Sequence, residues 1–208
     1  MHKKILEQKT ELIFSKIANT EIINDFYLAG GTALALQFGH RKSIDLDWFS
    51  KKPFLTDKLK KELKDLGNLK IDSEEKDTLN CRLDGVRLSF FEYPYKVLFP
   101  FLKYKNINLA DFRDIACMKI DAVSSRGSRK DFIDLYFILE QLSLKKLLEL
   151  FDIKYKEIEY NKLHILKSLT YFKEAEKSPL PVMIRKIIWN IVKEEIQKKA
   201  KNYLKNND

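Results

Sequence analysis

The stretch "LAGGTALALQFGHRKSIDLDWF", Leu28 to Phe49, decides how this chain folds, because it holds three of the six glycines and then two aspartates separated by one residue. "DFYLAGG" reads as a short buried strand ending in a turn. "TALALQF" follows with good helix formers and stops at Gly39, a residue suited to a helix C-terminus. "SIDLDWF" then alternates, with Ile44, Leu46 and Trp48 on one face and Asp45, Asp47 and Phe49 on the other. Adjacent glycines let the backbone turn sharply and approach a ligand with no side chain in the way. The first N–H groups of the helix behind them have no partner within the helix, so Gly30, Gly31 and Thr32 form a candidate phosphate site. Asp45 and Asp47 direct two hard oxygen ligands from one strand face, as Mg²⁺ prefers when it shares its shell with substrate phosphates. The plainer reading, a strand, turn, helix and strand whose aspartates face water, stays open on this stretch alone.

Outward from it, residues 1 to 19 carry helical spacing at Ile5, Leu6, Leu12, Ile13 and Ile17. Thr56 is placed to cap a helix bearing Leu59, Leu63 and Leu66. "DTLNCRL" and "VRLSFFEY" flank Asp84-Gly85, a strong hairpin signal, so the sheet is at least partly antiparallel. From about Asp111 the pattern turns helical, ending in a long helix expected after Pro181. The fold class is therefore α/β, or α+β: a mixed sheet flanked by helices, residues 1–105, followed by a helical part, residues 106–208.

Lys and Arg number 39 against 30 Asp and Glu, a net charge of +9 that suits a polyanionic partner. No apolar run approaches the roughly 20 residues that span a bilayer, and charges interrupt the apolar positions of the N-terminal segment where a signal peptide would be continuous. The sequence thus reads as cytoplasmic, with no membrane partner. Cys81 and Cys117 read as buried free thiols, not as a disulfide or a metal site. In the last helix Lys193, Lys198, Lys199, Lys201 and Lys205 accompany apolar Ile184, Ile187, Ile188, Ile191 and Ile196, which reads as a solvated face over a packed stripe, or as a groove for RNA.

Two blocks in order carry a resemblance. "GGTALALQFGHRKSIDLDWF" is similar to the Gly-Gly-Thr, Arg-x-Ser-x-Asp-Leu-Asp signature of the AbiEii/AbiGii-type nucleotidyltransferase toxins. "CMKIDAVSSRGSRKDFIDLYFIL" supplies that family's later lysine, arginine and Lys/Arg-Asp-x-x-Asp-Leu motif as Lys119, Arg126, Lys130, Asp131, Asp134 and Leu135. The resemblance implies a minimal nucleotidyltransferase fold, Mg²⁺ or Mn²⁺, a nucleoside triphosphate donor, a hydroxyl acceptor such as a tRNA-like RNA, and an antitoxin partner in a toxin–antitoxin or phage-defence pair. Carried over residue by residue, it implies nucleotide contacts at Gly30, Gly31, Thr32, Arg41, Ser43 and Lys119, metal carboxylates at Asp45 and Asp47, and catalytic roles for Ser43, Asp45, Asp47, Lys119, Asp131 and Asp134. It also implies that the two blocks converge.

Simpler roles compete: Ser128-x-x-Asp131 fits a capping box, Lys119 fits a solvated position on an amphipathic helix, and Arg41 fits a simple ion pair. One departure stands out. Many polymerase-type nucleotidyltransferases place a third carboxylate on a later strand, and here Ser89 takes that position, with Glu92 on the opposite face by alternation. That gap keeps two alternatives in view, a catalytically silent nucleotidyltransferase-like binding module and an antibiotic-type small-molecule nucleotidyltransferase.

Overall fold

Two adjacent residues with positive φ, Asp84 at 50° and Gly85 at 87°, close a hairpin between Thr78–Leu83 (β4) and Val86–Glu92 (β5). That is the backbone a two-residue type I′ turn requires. The Asp84 carboxylate accepts from the Asn68 N–H and from Lys16, 2.9 and 3.0 Å away, which hold it below its ordinary value and fasten the turn to the segment before β3. The computed structural model describes residues 1–206.

Around this hairpin lies a seven-stranded mixed sheet in the order β3-β4-β5-β2-β1-β7-β6. Its other strands are Tyr27–Ala29 (β1), Leu46–Ser50 (β2), Leu69–Glu75 (β3), Leu102–Tyr104 (β6) and Ile107–Leu109 (β7). β2 pairs parallel with β5 and β1 parallel with β7, and the remaining pairs are antiparallel. Alternation along β2, β4 and β5 sends Leu46, Trp48, Leu79, Cys81, Leu88 and Phe90 to one fully buried face. Gln8–Ile17 (α1) covers that face with Ile13, Phe14 and Ile17, and Phe14 and Phe90 lie 6.4 and 6.2 Å from the Trp48 ring. Burial pushes the thiols of Cys81 and Cys117 up to about 12, and both are free and buried as their sequence contexts suggested.

By its contacts the chain divides into two compact units. The first, Met1–Tyr95 with Pro100–Asp111, holds the sheet, α1, Ile22–Asp25 (α2), Gly30–Phe38 (α3) and Thr56–Lys64 (α4). The second, Lys96–Phe99 with the chain from Phe112 onward, holds Phe112–Ser125 (α5), Arg129–Gln141 (α6), Leu144–Lys154 (α7), Lys162–Ser168 (α8), Lys173–Lys177 (α9) and Trp189–Lys205 (α10). Residues 96–99 belong with the helices for a definite reason. Asp114, 2% exposed, accepts from the Leu98 and Phe99 N–H groups at 3.0 Å, and Lys154 donates to Asp114 at 2.7 Å and to the Lys96 carbonyl at 2.8 Å.

Several sequence expectations need correction. β2 begins at Leu46, so only Asp47 lies on the strand, and Ile44 is 53% exposed and outside the buried face. Leu55, not Thr56, takes the N-cap of α4, and the Thr56 hydroxyl donates instead to Glu74 at 2.5 Å. The last helix starts at Trp189, not just after Pro181. Its buried stripe is Val192, Ile196 and Ala200, while Ile184, Ile188 and Ile191 are exposed.

Candidate active site

In the first unit the glycine turn and the aspartates meet. β1 runs into α3 at Gly30, whose φ of +67° favours glycine, and Ala29 pairs with Asp47 across the β1–β2 ladder. A Cβ on Gly30 would lie 2.7 Å from Asp47 Oδ2, so the missing side chain is what lets the carboxylate sit against the turn. Thr32 is buried, and its hydroxyl shares a 2.8 Å hydrogen bond with the Ser43 hydroxyl and donates to the backbone carbonyl of Asp45. Its hydroxyl is thus spent on holding the approach to β2, whereas the sequence placed it toward phosphate. The Ser43 N–H donates in turn to the Ile5 carbonyl at 3.2 Å. Arg41 is 4% exposed and donates through Nη1 to the Lys42 carbonyl at 3.0 Å. Gly30, Gly31, Thr32, Ser43, Asp45 and Asp47 therefore form one local cluster.

The second unit gathers the later block. Lys119 on α5, 4% exposed, lies 3.1 Å from Asp131 Oδ1 and 2.7 Å from Asp134 Oδ2, and both aspartates on α6 are fully buried. Gly127, at φ +53°, turns the chain between these helices and returns Arg126 onto Asp131, where Nε and Nη2 donate at 2.8 and 2.9 Å. Ser128 occupies the N-cap of α6, but its hydroxyl goes to Asp131 Oδ2 at 2.5 Å and not to a backbone N–H, so the capping-box reading fails in its side chains. Burial opposes ionisation of Asp131. The hydrogen bonds and charges of Arg126 and Lys119, with the Ser128 hydroxyl, outweigh that and hold the carboxyl well below its usual range. Such a carboxylate anchors cations and is a poor proton acceptor. Two of the three N–H bonds of the Lys119 ammonium are thus engaged by aspartates.

Across the β2–β5 ladder, Asp47 pairs with Ser89, so the position beside the metal-type carboxylate is a buried serine. The sequence reading puts Ser89, not an acid, in the place of a third carboxylate. It missed the Asp114–Lys154 clip and the direct clamp of Arg126 on Asp131, since both join residues whose meeting depends on helix packing.

Asp45 and Asp47 are hard oxygen donors of the type that a divalent cation such as Mg²⁺ accepts. Among the described residues no group of three or more His, Cys, Asp or Glu side chains is arranged to hold a metal. Among those residues, too, no helix is long and apolar enough to cross a membrane.

Comparisons with known proteins bear on the fold and the family. JHP933 of Helicobacter pylori superposes over 99% of this chain and 91% of its own with a TM-score of 0.57 at 16% identity. MenT4, a nucleotidyltransferase toxin of Mycobacterium tuberculosis H37Rv, does so over 93% and 84% with a TM-score of 0.55 at 12% identity, so the fold is nucleotidyltransferase-like. In sequence, the protein aq_aa25 of Aquifex aeolicus (strain VF5) is 38% identical over 98% of this chain and 100% of its own length. The family described as nucleotidyl transferase AbiEii toxin, type IV toxin–antitoxin system, matches residues 11–204, and the chain belongs to it.

Proposed function

We propose that this protein transfers a nucleotidyl group from a nucleoside triphosphate to a hydroxyl of an RNA acceptor, as the toxin of a pair whose antitoxin keeps it in check. The observation that carries the reading is the seat of Asp47 against Gly30, which brings a carboxylate and a side-chain-free helix start to one place. Gly30 and Gly31 leave the first N–H groups of α3 open to the triphosphate. Asp45 and Asp47 would hold Mg²⁺, which when bound neutralises phosphate charge and orients the phosphates. Thr32 and Ser43 keep Asp45 in place through the hydrogen bonds above. Lys119, set by Asp131 and Asp134, stays protonated, hydrogen-bonds a phosphate oxygen through its third N–H and offsets charge on the leaving pyrophosphate. Arg41 serves the same anionic tail.

In the transfer the acceptor oxygen forms a new bond to the α-phosphorus and the α–β P–O bond breaks. Its electron pair leaves with pyrophosphate, and the hydroxyl proton passes to water. A loose transition state asks little of a base, so positioning and charge dominate and Ser89 beside Asp47 is compatible with turnover. Ser89 also motivates the second reading, a silent binding module. Incubation with each labelled nucleoside triphosphate, Mg²⁺ and total RNA separates the two. Label is expected in RNA with wild-type protein and absent with Asp47→Asn; equal labelling by that variant removes the assignment, and no label from either favours the silent module.

A further inference from the structure

The sheet order sets β2 between β1 and β5, so Asp47 on β2 has two distinct flanks. On the β1 flank lies the glycine turn, joined through the Ala29–Asp47 pair. On the β5 flank, Leu46 pairs with Leu88 and Asp47 with Ser89, and Arg87, the residue before Leu88, lines the same hollow as Asp45. Strand alternation puts Arg87 on the face that carries Ser89 and Asp47.

Arg87 is exposed, and its side chain has no hydrogen-bond or ion-pair partner among the described residues. It also stands directly opposite Arg82 on β4, an arrangement of like charges that destabilises an antiparallel pair unless an anion offsets it. Arg82 has its own counter-ion, Asp72 at 3.0 Å, which leaves Arg87 with an unanswered charge. Arg82, Arg87, Lys9 and Asp45 line one hollow of about 380 Å³. The start of α1 is pinned to its rim by the Thr10 hydroxyl, which donates to the Ile44 carbonyl at 3.3 Å. Of the acids there, Asp84 is neutralised by Lys16 at 3.0 Å and Asp45 is one of the two proposed metal carboxylates, while Glu7 and Lys9 each lack a side-chain partner among the described residues.

We infer that this hollow receives the acceptor: Arg87, seconded by Lys9, holds a backbone phosphate of the RNA next to the hydroxyl being modified. The inference rests on the nucleotidyl-transfer reading and uses its geometry. In a displacement at phosphorus the attacking oxygen and the departing pyrophosphate lie on opposite sides. The glycine turn takes the triphosphate on the β1 flank, so the acceptor approaches from the β5 flank, where the unanswered guanidinium stands. An arginine is suited to the task, since its fork of donors matches phosphate oxygens.

The test compares wild type, Arg87→Ala, Arg87→Lys and Lys9→Ala. Total RNA and labelled nucleoside triphosphate give the transfer rate, and calorimetric titration with Mg²⁺ and the same nucleotide gives donor binding. Arg87→Ala is expected to lower kcat/KM for RNA about tenfold or more, to flatten the dependence of log kcat/KM on log salt by about 0.7, and to leave nucleotide binding within about twofold of wild type, a window far below the tenfold effect that one charged contact carries. Arg87→Lys should recover part of the loss and Lys9→Ala should show a smaller one. If wild type labels RNA and Arg87→Ala does so equally well with the same salt slope, the acceptor site is wrong while the enzyme reading stands. Loss of nucleotide binding in Arg87→Ala overturns it as well, by assigning Arg87 to the donor. If wild type labels only protein or small molecules the site falls, and if it labels nothing the nucleotidyl-transfer reading falls with it.

Discussion

Thr32 sits where a phosphate-binding hydroxyl was expected, yet its oxygen is turned inward to Ser43 and to the carbonyl of Asp45. A sequence reports that a hydroxyl follows the glycines but not which way its rotamer points. The consequence is measurable. Thr32→Val keeps the shape and removes the donor, leaving a part-buried carbonyl without its partner at a cost of about 1–3 kcal/mol. Asp45 then loses its tether, and a misplacement of that kind costs up to about a hundredfold in rate. Thr32→Ser should retain both stability and transfer. Thermal melts and the RNA-labelling assay check this, and a Val variant with full rate would show that Thr32 does not position the carboxylate. Asp131 gives a second residue-level expectation. Its folded value is depressed, so its stabilising contribution is complete above the unfolded carboxylate value of about 3.9 and is lost as pH falls through the folded one. Asp131→Asn should therefore cost about 3–5 kcal/mol near neutral pH, with the gap from wild type narrowing below about pH 4. Denaturant titrations at pH 7 and pH 3 measure it, and a gap that widens in acid would contradict the sign.

Among the elements, those with strong local chemistry were legible: the β4–β5 hairpin from Asp84-Gly85, α3 between the glycines and Gly39, and the α5–α6 pair. β3 was not, because "LKIDSEE" places polar residues at nearly every position of an exposed edge strand and so lacks an alternating apolar signal. The Asp114–Lys154 clip was equally hidden, its partners lying 40 residues apart with nothing local to announce them. In α10 the sequence offered a run of isoleucines, and the fold chose a different row. Val192, Ile196 and Ala200 recur every four residues on one buried face, while Ile188 precedes the helix and is 63% exposed. Ile196→Ala should then cost about 2–5 kcal/mol and Ile188→Ala within about 0.5 kcal/mol of nothing. Equal shifts of Tm in the two variants would restore the sequence-derived stripe.

At the scale of the whole molecule, the family match over residues 11–204 runs through both compact units, although each unit has its own core and its own polar cluster. The sequence drew their border near residue 105. By contacts, the chain from 96 to 99 goes with the helices and that from 100 to 111 with the sheet, an exchange of short segments that no composition shift marks. If both clusters serve one reaction, as proposed, their contributions to the rate cannot be independent, because a group that stabilises the transition state has little to act on once its co-workers are gone. Asp45→Ala removes a carboxylate of the first unit and Lys119→Ala an ammonium of the second. Each alone should reduce transfer by orders of magnitude, and the double variant should be little slower than the worse of the two. Rates that multiply instead, each loss compounding the other in full, would mean that the lysine cluster supports the helical unit without taking part in the transfer. Circular dichroism of each variant keeps a folding defect apart from that outcome. Lys119→Met, which fills the same space without leaving a void, should match Lys119→Ala in rate if the missing charge, and not the missing volume, is what the reaction needs.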